Sequence, residues 1–322
     1  MTGASTRQNG NRPPRAAGFP SFCVCVPARN EADRLPILLG ALSAHDRPEP
    51  VTVLVSVNNT NDGSRQVLLD AAHHYQESLL LRIDETVFPP AAAHAGSARR
   101  RAMDLGLALL RGHGILLTTD ADTRPPPEWI GENLAAIARG ADMVGGSLIL
   151  DDREALPDAA AALKARWDAY WSKVREIEDD LDPRPEDAAP RHGDHTGASL
   201  AITAQLYRKI GGVPLLPTGE DRALVRAGLG AGGRLAHPPA VWTRVSPRRD
   251  GRAASGMADD MASLMAQAAR GETAFAPNFS HWRQRAAWRR RVRSEVGVLE
   301  MLRREDALPS MPMDMALPEA RA

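Results

Sequence analysis

In the stretch ILLTTDADTRPPPEW, Ile115 to Trp129, two aspartates follow an apolar run and three prolines come straight after them. Asp120 and Asp122 stand two residues apart, so an extended backbone points both carboxylates the same way. Carboxylates so placed repel unless a cation lies between them. Mg²⁺ or Mn²⁺ suits such hard oxygen ligands and keeps waters and substrate phosphates in its shell. The plainer alternative is an Asx turn that prepares the next helix, with the prolines fixing the bend. A second acidic pair, Glu220 and Asp221 in PTGEDRAL, offers a carboxylate able to take a proton from a hydroxyl. With Thr218 three residues before Asp221, the same stretch also reads as a near capping box.

Other polar residues are candidates for the same chemistry. His237, ahead of two prolines, could complete a metal shell or bind phosphate, against the alternative of a packed or capping imidazole. His192 and His195 flank Asp194 in RHGDHTGAS, a segment that reads as an acceptor-side loop because His-x-x-His outside a helix has no fixed geometry. Asn30 and Glu31 in PARNE would cap a helix starting there, and that helix start would offer free amides to a nucleotide. Arg99, Arg100 and Arg101 lie early in a helix, where the dipole disfavours cations. They call for an anion nearby, either a diphosphate or acidic side chains of the protein. Trp242, Arg244, Arg248 and Arg249 make a basic segment whose guanidinium forks match phosphate or carboxylate.

The elements that must position these residues alternate. SFCVCVPA, VTVLVSV, LLLRIDE and GILLTTD read as strands, separated by helical stretches of ten residues or more, the pattern of a parallel sheet covered on both faces. PARNE, NNTND and DAD would then follow strands one, two and four and share the sheet edge where ligands collect. Cys23 and Cys25, the two cysteines of the chain, fall on one face of the first strand and read as small buried thiols of a reducing, cytoplasmic protein. From Arg153 to Asp180 apolar residues recur at spacings of three and four, predicting a long helix.

Bulk properties narrow the function classes. The 322 residues carry 40 Lys plus Arg against 40 Asp plus Glu. That balance argues against a nucleic-acid binder working by phosphate neutralisation. No apolar run approaches the ~18 residues of a membrane span. The arginine-rich region 253–306 leaves peripheral contact with anionic lipid, at the inner face of a membrane, as an expectation. Trp167, Trp171, Trp282 and Trp288 are candidates either to stack on an acceptor or to pack helix faces.

In order along the chain, VPARNEADRL, VNNTNDGS, AGSARRRAMDLG, LLTTDADTRPPPEWI, VGGSLIL, TGASLAI with YRKIGG, TGEDRAL and VSPRRDGR resemble a family 2 glycosyltransferase of the GT-A fold over residues 20–255. The resemblance implies an α/β fold with a Rossmann-like nucleotide-binding half. It implies a catalytic domain over 20–252, divided into a nucleotide-sugar half (20–150) and an acceptor half (151–252). A disordered leader (1–19), a helical extension (253–306) and a flexible tail (307–322) would flank it. It implies Pro27, Arg29 and Glu31 in the nucleoside pocket, Arg99 near the nucleotide or its phosphates, and Asp122 as direct metal ligand with Asp120 near the ribose. Asp221 would be the catalytic base with Glu220 beside it, and Arg248 would cover the diphosphate. The acidic residue the family usually places after strand two has no counterpart. Asn58 and Asn59 stand there, and an amide can hydrogen-bond a base edge. The implied reaction moves one sugar from a nucleoside-diphosphate sugar to a hydroxyl acceptor (a sugar, small molecule or lipid-linked group), with Mg²⁺ or Mn²⁺ and inversion. A processive QxxRW motif is absent. Retaining relatives share the fold, and an inactive nucleotide-binding scaffold is the alternative of another class. A sugar-phosphate nucleotidyltransferase or a dinucleotide-binding enzyme would need a glycine-rich loop after strand one, where this chain has PARNEADRL.

Overall fold

Near-continuous apolar runs make strands that are buried on both faces, and the first two strands are of this kind. The computed structural model describes residues 21–249, 251 and 256–319, so the expected leader lies outside the described residues. Strand β1 (Phe22–Ala28) leads to helix α1 (Leu35–Ser43), followed by β2 (Val51–Asn58), α2 (Ser64–His74), β3 (Leu79–Thr86), α3 (Ala95–Leu109) and β4 (Ile115–Thr118). After the short β5 (Thr123–Arg124) come α4 (Trp129–Ala138), β6 (Met143–Gly145), β7 (Ser147–Leu150) and α5 (Asp158–Leu181). Then follow β8 (Leu200–Thr203), α6 (Ala204–Lys209), α7 (Glu220–Gly230), β9 (Leu235–Ala236) and β10 (Trp242–Val245). Helices α8 (Met257–Arg270) and α9 (Phe279–Asp306) close the chain with a ribbon of β11 (Phe275–Ala276) and β12 (Met315–Ala316).

Seven strands form one sheet in the order β3-β2-β1-β4-β8-β6-β9. The pairs β3–β2, β2–β1 and β1–β4 are parallel, as the alternating pattern predicts, while β8 runs antiparallel to both β4 and β6. Along β1 the side chains alternate. Val24 and Val26 pack with Leu38, Leu39 and Leu42 of α1 on one face, and Cys23 and Cys25 pack with Met103 and Leu116 on the other. The small thiols leave room for α3 to lie close, since a Cβ on Gly106 would come within 2.4 Å of the Cys25 sulfur. A second sheet, β5-β10-β7, carries the chain after β10 back to the aspartates of DAD.

Helix α5 starts at Asp158, after Pro157, rather than at Arg153. Its Leu163, Tyr170 and Val174 form a separate small core with Ala274, Ala276 and Leu317. The tail expected to be flexible is therefore partly built in, because Met315 and Ala316 pair with β11 and Leu317 is buried. The arginine-rich region is two helices, and α9 itself breaks at Gly297, where φ is 79° and ψ is 173°. Arg289 reaches Glu305 at 2.6 Å, although a straight helix would set them about 24 Å apart, so the chain doubles back there. Arg289 also bonds Glu178, Arg293 grips Asp182, and Arg226 reaches Asp306. Much of the basic character that suggested a lipid-facing helix is thus neutralised within the protein. Among the described residues no helix is long and apolar enough to cross a membrane.

Candidate active site

Because β2, β1 and β4 are adjacent and parallel, the loops after them open at one edge. The loop after β1 is fastened to the loop after β2, backbone to side chain. The amides of Asn30, Glu31 and Ala32 donate to Thr60 Oγ1, Ser64 Oγ and Asp62 Oδ2 at 3.2, 2.9 and 3.0 Å, and Asn61 N–H donates to Asn30 Oδ1 at 2.9 Å. Asn30 takes a left-handed φ of 53°. This corrects the expected cap: α1 begins only at Leu35 with Arg34 as N-cap residue, and the amides expected to be free already have partners. Asp62, passed over in the sequence, is the brace, for it also accepts from Ser64 N and Oγ.

Asn58 donates to the Ala28 carbonyl at 3.0 Å, and Asn59 bonds both polar groups of Phe88, donating to its carbonyl at 2.9 Å and accepting from its amide at 3.1 Å. Beside them lies a cavity of about 330 Å³ lined by Val57, Thr60, Asp62, Arg65, Glu85 and Thr86. Pro27 and Arg29 are half-buried at the end of β1.

Arg99 is the hub of the site and is 5 % exposed. Its Nε donates to Glu220 at 2.9 Å, Nη1 to Thr118 Oγ1 and the Gly197 carbonyl at 2.9 Å each, and Nη2 to Asp120 at 2.8 Å. Burial by itself would lower the pKa of the guanidinium. The carboxylates of Asp120, Glu220 and Asp221 outweigh it and hold the Arg99 pKa above its ordinary value. Arg101 forks onto Asp84 and Arg100 bonds Asp104 and the Val213 carbonyl. For all three arginines at the start of α3, the anion the dipole argument demands is supplied by the protein.

Arg248 is a second bridge. It pairs both nitrogens of its fork with Glu31, at 2.8 and 2.9 Å, and its Nε with Asp122 at 2.9 Å. The backbone joins in, since Ser246 N–H donates to the Asp122 carbonyl at 3.2 Å. Burial pushes the Asp122 carboxyl up to about 6; Asp120 and Glu31 push the same way, and Arg248 opposes them. The four carboxylates of Glu31, Asp120, Asp122 and Glu220 face two guanidiniums, which leaves two negative charges over when all are ionised.

Asp221 lies in the first turn of α7, whose N-cap residue is Gly219 with φ 72° and no side-chain cap bond. The Thr218 capping box is therefore not formed. Asp221 instead accepts from Gly197 N–H at 2.7 Å and from the Arg222 amide at 2.7 Å. Gly197 thus touches both halves of the site, its carbonyl on Arg99 and its amide on Asp221. Neighbouring residues of the same loop are stitched to the sheet edge, Ala198 through Thr119 Oγ1 and Ser199 through the buried Trp129 indole.

His237 has other partners. Its Nδ1 and its amide both meet Asp187, at 2.7 Å each, and its Nε2 lies 3.2 Å from His195 Nδ1. Burial, reinforced by His237, lowers His192 to about 3 and His195 to about 4, so both rings are neutral at physiological pH. Among the described residues, no three His, Cys, Asp or Glu side chains converge to hold a metal on their own.

The sequence pattern described as Glycosyl transferase family 2 matches residues 23–182, which carry the first three clusters of this edge. The chain belongs to glycosyltransferase family 2. Its mixed seven-stranded sheet, with helices on both faces and a helical extension, is the GT-A fold of that family. A mannosyltransferase of Pyrobaculum calidifontis, solved with GDP-Man and Mn²⁺, is 17 % identical over 90 % of this chain and 80 % of its own, with a TM-score of 0.49. The S. aureus TarS fragment 1–349 in complex with UDP is 16 % identical, covering 84 % of this chain and 71 % of that one, with a TM-score of 0.49. Glucosyl-3-phosphoglycerate synthase of Mycobacterium tuberculosis, solved with Mn²⁺, UDP-glucose and phosphoglyceric acid, is 15 % identical over 81 % and 85 %, with a TM-score of 0.45. No curated protein matches the sequence.

Proposed function

We propose that this family 2 transferase moves one sugar from a nucleoside-diphosphate sugar to a hydroxyl acceptor, with Asp221 as general base and with inversion. The observation that carries the reading is the Arg99 bridge, which ties Asp120 of the donor cluster to Glu220 beside the base. Donor and acceptor carboxylates then share one cleft, as an in-line displacement requires. The cavity between the ends of β2 and β3 fits the nucleoside base, with Glu85 and Thr86 offering polar groups at its wall. Asn58 and Asn59, expected at the base edge, are read here as braces of the loops around it.

The residual negative charge and the hard oxygen donors of Asp120 and Asp122 fit Mg²⁺ or Mn²⁺. Two carboxylates are too few for an all-protein cage, so diphosphate oxygens and water would complete the shell. When bound, the ion would offset the charge growing on the departing nucleoside diphosphate. His237, engaged with Asp187 and His195, is left out of this shell. Asp221 takes the proton of the attacking hydroxyl while its own position is held by the Gly197 and Arg222 amides. Arg99 keeps Glu220 and Asp120 in register without touching the reacting atoms.

Calorimetric titration with UDP, GDP, dTDP and CDP, each with Mn²⁺, Mg²⁺ or EDTA, tests the donor half. One diphosphate is expected to bind with metal and to lose affinity in Asp122→Ala. Indifference to both metal and mutation would sink the metal role. For the acceptor half, Asp221→Asn should keep diphosphate binding and lose turnover. The anomeric configuration of the product by NMR separates inversion from the retaining alternative, and absence of turnover with every sugar nucleotide would favour a scaffold.

A further inference from the structure

We infer that Arg248 and a divalent cation compete for the same carboxylates, with Glu31 as the positioning residue that parks Arg248 until a diphosphate draws it away. The inference rests on the metal reading above and goes beyond it, because it sets the order and coupling of the binding steps. Its basis is geometric. The Arg248 guanidinium fills the space between Glu31 and Asp122 with three bonds of 2.8–2.9 Å. The fork on Glu31 is bidentate, the strongest form of such a pair. Arg248, Glu31 and Asp122 are all largely screened from water, their side chains 17 %, 6 % and 16 % exposed.

Two consequences follow from burial. A cation entering alone must turn Arg248 out of its carboxylates and leave a charged fork without a partner, which is costly in a screened site. A diphosphate entering alone meets Asp122 and Glu31 uncompensated, since any phosphate that attracts Arg248 uncovers them. Entering together, the cation takes the place of Arg248 between Asp122 and Glu31 and the diphosphate becomes the new partner of Arg248, so both carboxylates and the guanidinium keep a counter-charge. The base of the segment is anchored meanwhile, for Ser246 Oγ bonds Glu154, which Arg34 also grips. The exchange therefore needs only Arg248 and its immediate neighbours to move, and it makes metal and diphosphate binding mutually reinforcing.

The test is Mn²⁺ binding to the nucleotide-free protein, read as loss of the free-ion EPR signal, in wild type and Arg248→Gln, repeated with UDP and with GDP. Wild type is expected to bind Mn²⁺ weakly alone and at least about tenfold more tightly with the diphosphate it accepts. Arg248→Gln should bind Mn²⁺ alone about tenfold more tightly than wild type and gain less from the diphosphate. Because the variant leaves two carboxylates bare, melting is followed in parallel. Mn²⁺ alone should raise the melting temperature of Arg248→Gln more than that of wild type. If wild type binds Mn²⁺ with a diphosphate but Arg248→Gln binds the ion no more tightly alone and gains no larger thermal shift, the competition is overturned and the metal role stands. If neither protein binds Mn²⁺ under any condition, both are overturned.

Discussion

Gly197 has no side chain, yet it decides where Arg99 lies: a Cβ there would come within 2.2 Å of the guanidinium carbon. Gly197→Ala should therefore push Arg99 off Asp120 and Glu220 and cost about 1–3 kcal/mol, the range for forcing atoms into a packed site, measurable by chemical denaturation. The same variant should weaken diphosphate binding and turnover together, since Asp120 and Glu220 both lose a support. Asp122 sets a pH dependence. With its folded pKa raised to about 6, it is protonated more readily in the native than in the unfolded chain. Stability of the metal-free protein should thus fall as pH rises from about 4, the ordinary carboxylate value, to about 6, while metal-dependent diphosphate binding should strengthen as pH rises through about 6, because a cation requires the ionised form. Calorimetry on either side of pH 6 checks the second sign. At this scale the sequence was legible in residue type and mute in partnership. The arginine run at the start of α3 demanded an anion, but Glu220 lies 121 positions from Arg99 and Gly197 lies 98 away. Only the folded sheet says which anion arrives.

Among the elements, the central strands β1, β2 and β4 could be read from their apolar runs, because burial on both faces leaves few polar positions to confuse the pattern, whereas the short β5, β7, β9 and β10 could not. Helix starts could not. Asn30 looked like a cap, yet the β1 loop is held by Asp62, Ser64 and Thr60 of another segment, and this delays α1 to Leu35. Gly297 was likewise hidden inside a continuous arginine-rich helical pattern. Its φ of 79° with ψ of 173° is a conformation essentially restricted to glycine, so Gly297→Ala should cost about 1–3 kcal/mol and loosen the Glu305 contacts. A lowered melting temperature, with the donor-binding affinity kept, is the expected pair of results. The loop carrying His192 and His195 adds an acid limit. Both are held neutral in the fold at pKa values of about 3 and about 4, so the unfolded chain takes up protons first. Stability should fall as pH drops from about 6.5 toward 4, and a melt series with His195→Asn should show part of that loss removed.

At the scale of the whole molecule, α5 ties the extension to the catalytic unit. It falls within the matched span 23–182, yet Leu163, Tyr170 and Val174 are covered by residues beyond 270. A chain ending at residue 256 should expose that face, bind a hydrophobic dye and lose solubility. The aromatic residues offered as acceptor platforms are in part this packing: Trp282 donates to the Tyr170 hydroxyl at 2.7 Å, and Trp167 stands edge-on to Tyr170. The sheet carries a last consequence. Strand β8, from the half expected to serve the acceptor, is hydrogen-bonded between β4 and β6 of the half expected to serve the donor. The two halves are thus interleaved along one ladder, with no seam between them to act as a hinge. Substrates are therefore expected to enter and leave by rearrangement of rim loops above this shared sheet. In deuterium exchange, the β8 amides should stay among the slowest of the molecule whether or not a nucleotide is bound.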